Sequence, residues 1–242
     1  MATINFKNFF IQFTNYEKHL SFKEFLLSML LASINNNKYV TALNIPKLKF
    51  SNGDKVGIIG KNGAGKSTLL KCISGLYETY NGTLSVKGSI APLLEIGAGF
   101  HPEFNAEDNI FLNGSLLGIP RSFLEDNVNQ ILEYAGLGSQ RNKPIKHFSS
   151  GMISRLGFSI ASSYTRDILL LDEVFAGGDK EFKHKSKLKI KELINKSQIM
   201  LLVSHDMDII ADICNRAILI DSGSIIMDDK PNEVIDYYKK HY

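Results

Sequence analysis

The chain has 242 residues, of which 44% are hydrophobic, enough for a sizeable core in an α/β domain and too few for an integral membrane protein. The net charge of +3 gives no argument by itself for a nucleic-acid partner. The strongly apolar segment 25–34 is shorter than the ~20 residues that a membrane-spanning helix needs.

The first predicted elements are two strands separated by an amphipathic helix. The strands are predicted at 4–13 and 39–50. Between them, apolar residues recur every three or four positions over 21–31, which predicts a helix with one apolar face. Ser21 and Glu24 have the spacing of a capping box at its start. This face either covers the chain's own core or meets a partner.

The rest of the chain alternates short apolar strands with helices. Further strands are predicted at 55–59, 83–86, 89–94, 168–171, 199–203 and 217–220. Helices are predicted at 67–74, 106–138 with a break at 118–120, 151–163, 180–196, 206–214 and 232–242. Continuous apolar runs such as 168–171 are typical of strands buried on both faces of a parallel sheet. The order predicts an α/β fold with a helical insertion.

A glycine-rich loop follows strand 55–59 and matches the pattern G-x-x-x-x-G-K-[ST]. It consists of Gly60, Lys61, Asn62, Gly63, Ala64, Gly65, Lys66 and Ser67, with Thr68 next in the helix. Its glycines let consecutive N–H groups face phosphate oxygens, and the helix directs its positive end at the same oxygens. Lys66 can reach the β- and γ-phosphates, and the Ser67 hydroxyl can ligate Mg²⁺. The loop predicts binding of ATP or GTP with Mg²⁺.

Polar residues follow two other buried strands. Asp172 and Glu173 come after 168–171, and His205 comes after 199–203. Ligands of parallel sheets bind at the carboxyl edge, so these groups are expected beside the phosphates. Asp172 suits the Mg²⁺ shell, and Glu173 is placed to orient or deprotonate a water. A neutral His205 could hydrogen-bond the γ-phosphate. Glu173, His205 and Lys66 are the candidate catalytic groups, and Asp172 is a candidate metal ligand. The alternative is a pair of solvated acids and a structural histidine.

The segment Phe148–Met152 precedes a predicted helix, where serine hydroxyls and N–H groups can bind an anion or form an ordinary N-cap. The order of all these motifs resembles the nucleotide-binding subunit of ATP-binding cassette (ABC) transporters over nearly the whole chain. The resemblance implies a P-loop NTPase fold with a RecA-like core, an antiparallel β subdomain and a helical subdomain at about 106–163. All three would belong to one ABC domain over 1–242.

The resemblance also implies how the nucleotide site is completed. Two ABC subunits pair head to tail, and each ATP lies between the phosphate loop of one and the signature segment of the other. By this likeness Ser149, Ser150 and Gly151 would contact the partner's ATP, and Asp179 would lie at the dimer seam. The aromatic residue stacked on adenine would be Phe13, with Phe9, Phe10 and Tyr39 as alternatives.

Three segments depart from the common ABC pattern. The signature carries Ser150 and Met152 where glycine and glutamine are usual, 174–179 replaces P-T-S-A-L-D, and Glu95 stands near the usual Mg²⁺-bridging glutamine. Together these segments resemble the branch that exports cell-surface polysaccharides, including O-antigen, capsule and teichoic acid. The helix 21–31 also resembles an insertion of the O-antigen type, near the membrane entrance.

The sequence therefore predicts an ATPase that powers export of a lipid-linked polysaccharide, with ATP and Mg²⁺ as cofactors and Ser67, Asp172 and Glu95 around the metal. The expected partners are a second copy, a separate membrane permease and the lipid-linked glycan, but no nucleic acid. The expected location is the cytoplasmic face of the inner membrane. A capsule or teichoic acid exporter and a soluble ABC-type ATPase are alternatives. A GTPase-like switch would need N-K-x-D, which 195–198 does not match.

Overall fold

The computed structural model describes residues 1–14, 39–77, 81–94, 96–172 and 179–242. The predicted helix 21–31, Glu95 and Glu173 lie outside the described residues. The described part contains two sheets with helices packed on them, and the predicted α/β fold is confirmed. No helix in these ranges is both long and apolar enough to span a bilayer.

The smaller sheet is antiparallel and has the strand order β2-β1-β4. Its strands are β1 (Thr3–Thr14), β2 (Tyr39–Ser51) and β4 (Asn81–Lys87). In β1 the buried residues are Ile4 and Phe6, then Phe9 and Ile11, so the inward face shifts by one position. Asn8, with φ of 47°, lies at the shift, where the pairing with β4 is also interrupted. This local bulge keeps both halves of the strand facing the core.

The larger sheet has the strand order β5-β6-β7-β3-β8-β9, and all its pairs are parallel except β8–β9. Its strands are β3 (Lys55–Ile59), β5 (Ile90–Leu93), β6 (Ile168–Asp172), β7 (Ile199–Val203), β8 (Arg216–Asp221) and β9 (Ser224–Asp229). Successive residues of the central strands face opposite cores. Leu170 and Leu201 join the core shared with the antiparallel sheet, whereas Leu169 and Met200 join the core on the other face. Burial on both faces explains the uninterrupted apolar runs.

Seven α-helices lie in the described ranges. They are α1 (Lys66–Ile73), α2 (Ala106–Leu116), α3 (Arg121–Ala135), α4 (Ser150–Ala161), α5 (Lys180–Lys196), α6 (Met207–Ile213) and α7 (Pro231–His241). Two short 3₁₀ turns, Gly138–Gln140 and Ile145–His147, lie between α3 and α4. Helices α2, α3 and α4 share a core of their own that includes Ile110, Leu124 and Leu156. This core lies within the segment 106–163 that is expected to form the helical subdomain.

Strand β9 is missing from the sequence prediction. It forms a hairpin with β8 through Ser222 and Gly223, whose φ angles of 47° and 78° are both positive. The Ser-Gly dipeptide is a turn signal that sequence reasoning did not use. The sequence signal for β9 is weak, because the strand lies at the sheet edge and lacks the continuous run of buried apolar residues that marks its neighbours.

Candidate nucleotide site

Strand register brings the sequence-predicted groups together at one edge of the parallel sheet. Strands β3 and β6 both pair with β7, and Val203 is the register partner of Ile58 on one side and of Asp172 on the other. The loop after β3, the acid ending β6 and His205 therefore emerge side by side. One cleft is lined by Asn62, Gly63, Gly65, Lys66, Ser67, Thr68, Asp172, Val203 and His205.

The phosphate loop is packed so closely on neighbouring strands that two positions admit only glycine. A Cβ on Gly60 would lie 2.2 Å from the backbone oxygen of Ile220 in β8. At Gly65 the φ angle is 110°, and a Cβ would lie 2.8 Å from the backbone oxygen of Ala42 in β2. The loop thus takes its path from strands of both sheets, and glycine is required by contact as well as by backbone conformation.

The β8–β9 hairpin, which the sequence did not predict, forms hydrogen bonds that support this loop. The Gly223 N–H donates to the Ala64 oxygen at 2.9 Å, and the Asn44 N–H donates to the Gly223 oxygen at 2.7 Å. The β8–β9 turn therefore ties the phosphate loop to β2. Gly223 is a supporting residue of the site that only the Ser222-Gly223 dipeptide signals in the sequence.

Helix α1 begins at the cleft without a side-chain cap. Its N-cap residue is Gly65, whereas α2, α4, α5 and α6 are capped by side chains. The capping side chains of those four helices belong to Asn105, Ser149, Asp179 and Asp206. The first N–H groups of a helix have no partner within the helix, and its positive end favours anions. An uncapped helix start beside the loop is therefore suited to phosphate oxygens.

Lys66 lines the cleft and is largely buried, with 7% of its surface exposed. Its Nζ donates to the backbone oxygens of Gly60 at 2.7 Å and Lys61 at 2.9 Å. These bonds hold the ammonium group against the curled loop. A charge with so little water around it interacts strongly with an anion beside it, because the local dielectric is low.

The donor atoms around the cleft fit Mg²⁺. Ser67 supplies a hydroxyl and Asp172 a half-buried carboxylate, both oxygen ligands of the type that Mg²⁺ prefers. No group of three or more His, Cys, Asp or Glu side chains suited to a metal occurs in the described ranges. The metal role of Glu95 and the base role of Glu173 stay predictions.

The backbone around His205 is fixed by its neighbours. The Ser204 Oγ accepts a hydrogen bond from the Asp206 N–H at 3.0 Å. Asp206 in turn caps α6, because its Oδ1 accepts from the N–H groups of Asp208 at 3.1 Å and Ile209 at 3.2 Å. His205 thus lies in a defined turn between β7 and α6, on the wall of the cleft, and its contact with the γ-phosphate stays a prediction.

The signature residues lie apart from this cleft. Ser149 caps α4, and its Oγ accepts from the Met152 N–H at 3.2 Å. Ser149 and Ser150 are exposed, and the space around Gly151 is open, with the Ser149 Oγ at 3.9 Å as the nearest atom to a Cβ built there. None of the three belongs to the cleft lining described above. Within one chain, the two predicted phosphate-binding segments therefore do not meet.

Asp179 links the helix of the signature to α5. Its Oδ1 accepts from the Phe182 N–H at 2.9 Å, and its Oδ2 accepts from Arg155 Nη1 at 3.1 Å. The pKa of the Asp179 carboxyl is lowered below its usual value. The hydrogen bond from Phe182 is the larger cause, and the charge of Arg155 is a smaller one. Arg155 lies four residues after Gly151 on α4, and no sequence signal marked it as a partner of Asp179.

Phe13 lies on a strand of the antiparallel sheet that packs on the phosphate loop, but it does not line the cleft. It pairs with Val40, two residues before the Ala42 that packs on Gly65. Its ring, 39% exposed, packs edge-on against Tyr77 with centroids 5.2 Å apart. Phe9 is fully buried in the core and Phe10 is half-buried. Adenine stacking by Phe13 stays a prediction, and burial leaves Phe9 unable to take that role.

Comparison with curated proteins gives relatives over most of the chain. The chain is 38% identical over 203 residues to the ABC transporter protein AbcA of Aeromonas salmonicida, covering 84% of this chain and 66% of that protein. It is 39% identical to the O-antigen export system ATP-binding protein RfbB of Klebsiella pneumoniae, with 78% and 76% covered. It is 35% identical to the teichoic acids export ATP-binding protein TagH of Lactococcus lactis, with 88% and 46% covered. The chain spans less than two thirds of the Aeromonas and Lactococcus proteins.

A solved structure shows the same fold, and a family model shows the family. The chain superimposes with a TM-score of 0.68 and 19% identity on a dimeric ATP-binding cassette in a post-hydrolysis state bound to ADP and phosphate, covering 94% of this chain and 98% of that one. This likeness supports the fold. Residues 43–176, more than half of the chain, match the model of the ABC transporter family. The predicted P-loop NTPase fold of the ABC type is thus confirmed, and the chain belongs to the ABC transporter family of ATP-binding proteins.

Proposed function

We propose that the chain is the ATP-hydrolysing subunit of an ABC exporter for a lipid-linked polysaccharide of the O-antigen type. The observation that carries the proposal is the cleft, where the phosphate loop, Asp172 and His205 share one sheet edge. The polysaccharide class is supported by the relative named for O-antigen export. Such a subunit would act at the cytoplasmic face of the inner membrane.

Several residues of the cleft, together with Glu173, would divide the tasks of hydrolysis. Lys66 and the first N–H groups of α1 would bind the β- and γ-phosphates, and Ser67 with Asp172 would hold Mg²⁺, which neutralises phosphate charge. His205 would hydrogen-bond the γ-phosphate. Glu173, which follows Asp172 in the chain, would orient a water and accept its proton as the water oxygen attacks phosphorus and ADP leaves.

A second copy of the chain would complete each site. The exposed start of α4 offers N–H groups and serine hydroxyls with no phosphate loop near them in the same chain. Pairing two chains head to tail would place Ser149, Ser150 and Gly151 against the γ-phosphate bound by the partner. ATP would then hold the pair together, and hydrolysis would release it.

A separate apolar groove is suited to the permease. It lies between the end of α2 and the segment that follows α1. Leu116 lines it from α2, and Leu76 lines it from the segment after α1. These two leucines are 63% and 66% exposed and line the same groove, so they present joined apolar surface of the kind that marks interaction sites. The adjoining segment 96–99 follows Glu95. Motion at the nucleotide would pass to the membrane partner through this groove.

The segment beside this groove depends on one buried side chain, Asn109. Its Oδ1 accepts from the His101 N–H at 2.8 Å, and its Nδ2 donates to the backbone oxygens of His101, Phe104 and Asn105. Replacing Asn109 with alanine removes four hydrogen bonds and leaves the His101 N–H without a partner, whereas the three oxygens keep backbone donors. The change is expected to cost about 2–3 kcal/mol in the free energy of unfolding. Urea unfolding measures this. Asn127→Ala, which removes a single bond to Phe123, is the control and is expected to cost under about 1 kcal/mol.

The ATPase assignment is tested by Glu173→Gln. This variant is expected to bind ATP with near-normal affinity and to hydrolyse it at least about 100-fold more slowly, because a general base contributes that much or more. Fluorescent-nucleotide binding and phosphate release measure the two quantities. Glu233→Gln, on α7, is the matched control. Near-normal turnover of Glu173→Gln would remove Glu173 from the role of base.

The glycan class needs its own experiment, because a relative named for teichoic acid export is a specific reason to keep that alternative. The chain would be co-expressed and purified with candidate permeases, and its ATPase rate measured with lipid-linked O-antigen or teichoic acid. Stimulation by the first glycan only supports the proposal, and stimulation by the second only replaces it. Failure to co-purify with any permease would favour an ATPase that is not coupled to transport.

A further inference from the structure

Helix α5 concentrates the positive charge of the molecule. Its 17 residues include seven lysines and two glutamates, a net charge of +5, whereas the whole chain carries +3. The remainder is therefore slightly acidic, and the excess charge belongs to this one helix. A concentration of one sign on one element creates a local potential that attracts acidic partners.

Three of the seven lysines have partners within the protein. The Lys185 ammonium lies 4.1 Å from the centroid of the Tyr134 ring and donates to the Tyr134 oxygen. Lys189 and Lys196 both pair with Glu192. The other four, Lys180, Lys183, Lys187 and Lys191, are exposed and make no hydrogen bond or ion pair with any residue that the structure describes.

These four lysines form a straight stripe. They are spaced by three, four and four residues, which places them on one face of the helix over about 16 Å. Four like charges in a row repel one another slightly, and no ion pair with a described residue offsets that repulsion. The stripe is thus not explained by the stability of this chain.

An apolar groove runs beside the second half of the stripe, between α5 and α6. Its floor consists of Ile190 and Ile194 from α5 and of Ile209 and Ile213 from α6. Lys187 and Lys191 line it on the α5 side, and Asp212 lines it on the α6 side. The groove is separate from the nucleotide cleft and from the groove assigned to the permease.

We propose that the α5–α6 groove binds an acidic amphipathic helix of a partner protein. An apolar ridge on such a helix would fill the isoleucine floor, and acidic residues at a spacing of four would face Lys187 and Lys191. A lipid surface fits the groove less well, because a flat bilayer cannot reach a floor recessed between two helices. The occupant is identified by charge complementarity with the stripe. This site would tie the ATPase to another protein independently of nucleotide.

The test uses a synthetic fluorescein-labelled helical peptide with leucines on one face and glutamates beside them, together with a scrambled peptide of the same composition. Anisotropy titration with the full chain is expected to show saturable binding of the helical peptide and at least tenfold weaker binding of the scrambled one. Lys187→Glu/Lys191→Glu is expected to weaken binding at least tenfold. Lys239→Glu/Lys240→Glu makes the same charge change on α7 and is expected to change the affinity for the helical peptide less than twofold.

The apolar contribution is tested in the same assay. Ile213→Asn, on the groove floor, is expected to weaken binding about tenfold, whereas Leu188→Asn, 57% exposed and outside the groove lining, is expected to leave it unchanged. Basal ATP hydrolysis confirms that each variant is folded. The proposal fails if the helical peptide does not bind by 100 µM, a limit of about −5.5 kcal/mol in binding free energy. It also fails if Lys187→Glu/Lys191→Glu and Lys239→Glu/Lys240→Glu weaken peptide binding equally. A third contrary result is that the chain binds phosphatidylglycerol vesicles but not the peptide, and that Lys187→Glu/Lys191→Glu abolishes the vesicle binding.

Discussion

Replacing Lys66 with alanine is expected to reduce ATP hydrolysis at least about 100-fold, the scale on which removing one preorganised charge donor acts in a catalytic site. Lys66 is 7% exposed, and its ammonium group is held on the backbone oxygens of Gly60 and Lys61, so alanine removes a positioned positive charge from the cleft. Phosphate release at saturating ATP and binding of a fluorescent nucleotide measure the loss. The variant is expected to lose affinity as well as rate, because the phosphates are held in the ground state too.

Lys239→Ala is the matched control for this variant, since it removes an exposed lysine on α7. It is expected to leave the ATPase rate within twofold of the unmodified chain. The unfolding midpoints of both variants serve as a check on folding. If Lys66→Ala kept more than about a third of the activity while folded, the cleft would not be the hydrolytic site.

Replacing Gly60 with alanine is expected to destabilise the fold by about 3 kcal/mol. The new Cβ would lie 2.2 Å from the Ile220 oxygen and 3.3 Å from the Ala64 Cβ. Ile220 belongs to β8, which pairs with β3 on one side and β9 on the other, so its backbone has little room to shift. Urea unfolding of the nucleotide-free protein, followed by circular dichroism, measures the loss.

Gly63→Ala provides the comparison, because Gly63 also has a positive φ of 78° but a Cβ there would meet no atom within 4 Å. Only the cost of the left-handed backbone applies, about 1 kcal/mol. Equal losses in the two variants would show that backbone strain, and not contact with Ile220, sets the requirement for glycine. Gly63→Ala is still expected to weaken nucleotide binding, because its methyl group would lie on the cleft wall.

The contact between Gly60 and Ile220 shows that the parallel sheet has two functions in the site. Its carboxyl edge presents Asp172 and His205, and its strand β8 sets the entry path of the loop. The hairpin turn at Gly223 then fixes the end of the loop through Ala64. Changes in the sheet would therefore reach the phosphates through backbone contacts as well as side chains.

The sequence by itself determined most of the elements, though not β9, and the local parts of the site. The strand at 55–59, the helix at 180–196 and the strand at 199–203 were predicted with the bounds that the structure has. These predictions succeeded because hydrophobic periodicity and continuous apolar runs depend on neighbouring residues alone. The phosphate loop was predictable for the same reason, since a single short segment carries its glycines, lysine and serine.

The tertiary structure decided which of these parts meet. The β6-β7-β3 order joined Asp172 and His205 to the loop, and packing on β2 and β8 placed Gly223 beneath it. The pair Arg155–Asp179 and the groove between α5 and α6 join residues that are far apart in sequence. Such contacts follow from strand register and from the packing of whole faces, which no local pattern specifies. For that reason the phosphate loop could be predicted from the sequence. Its contacts with β2, β8 and Gly223, and the groove between α5 and α6, could be found only in the folded chain.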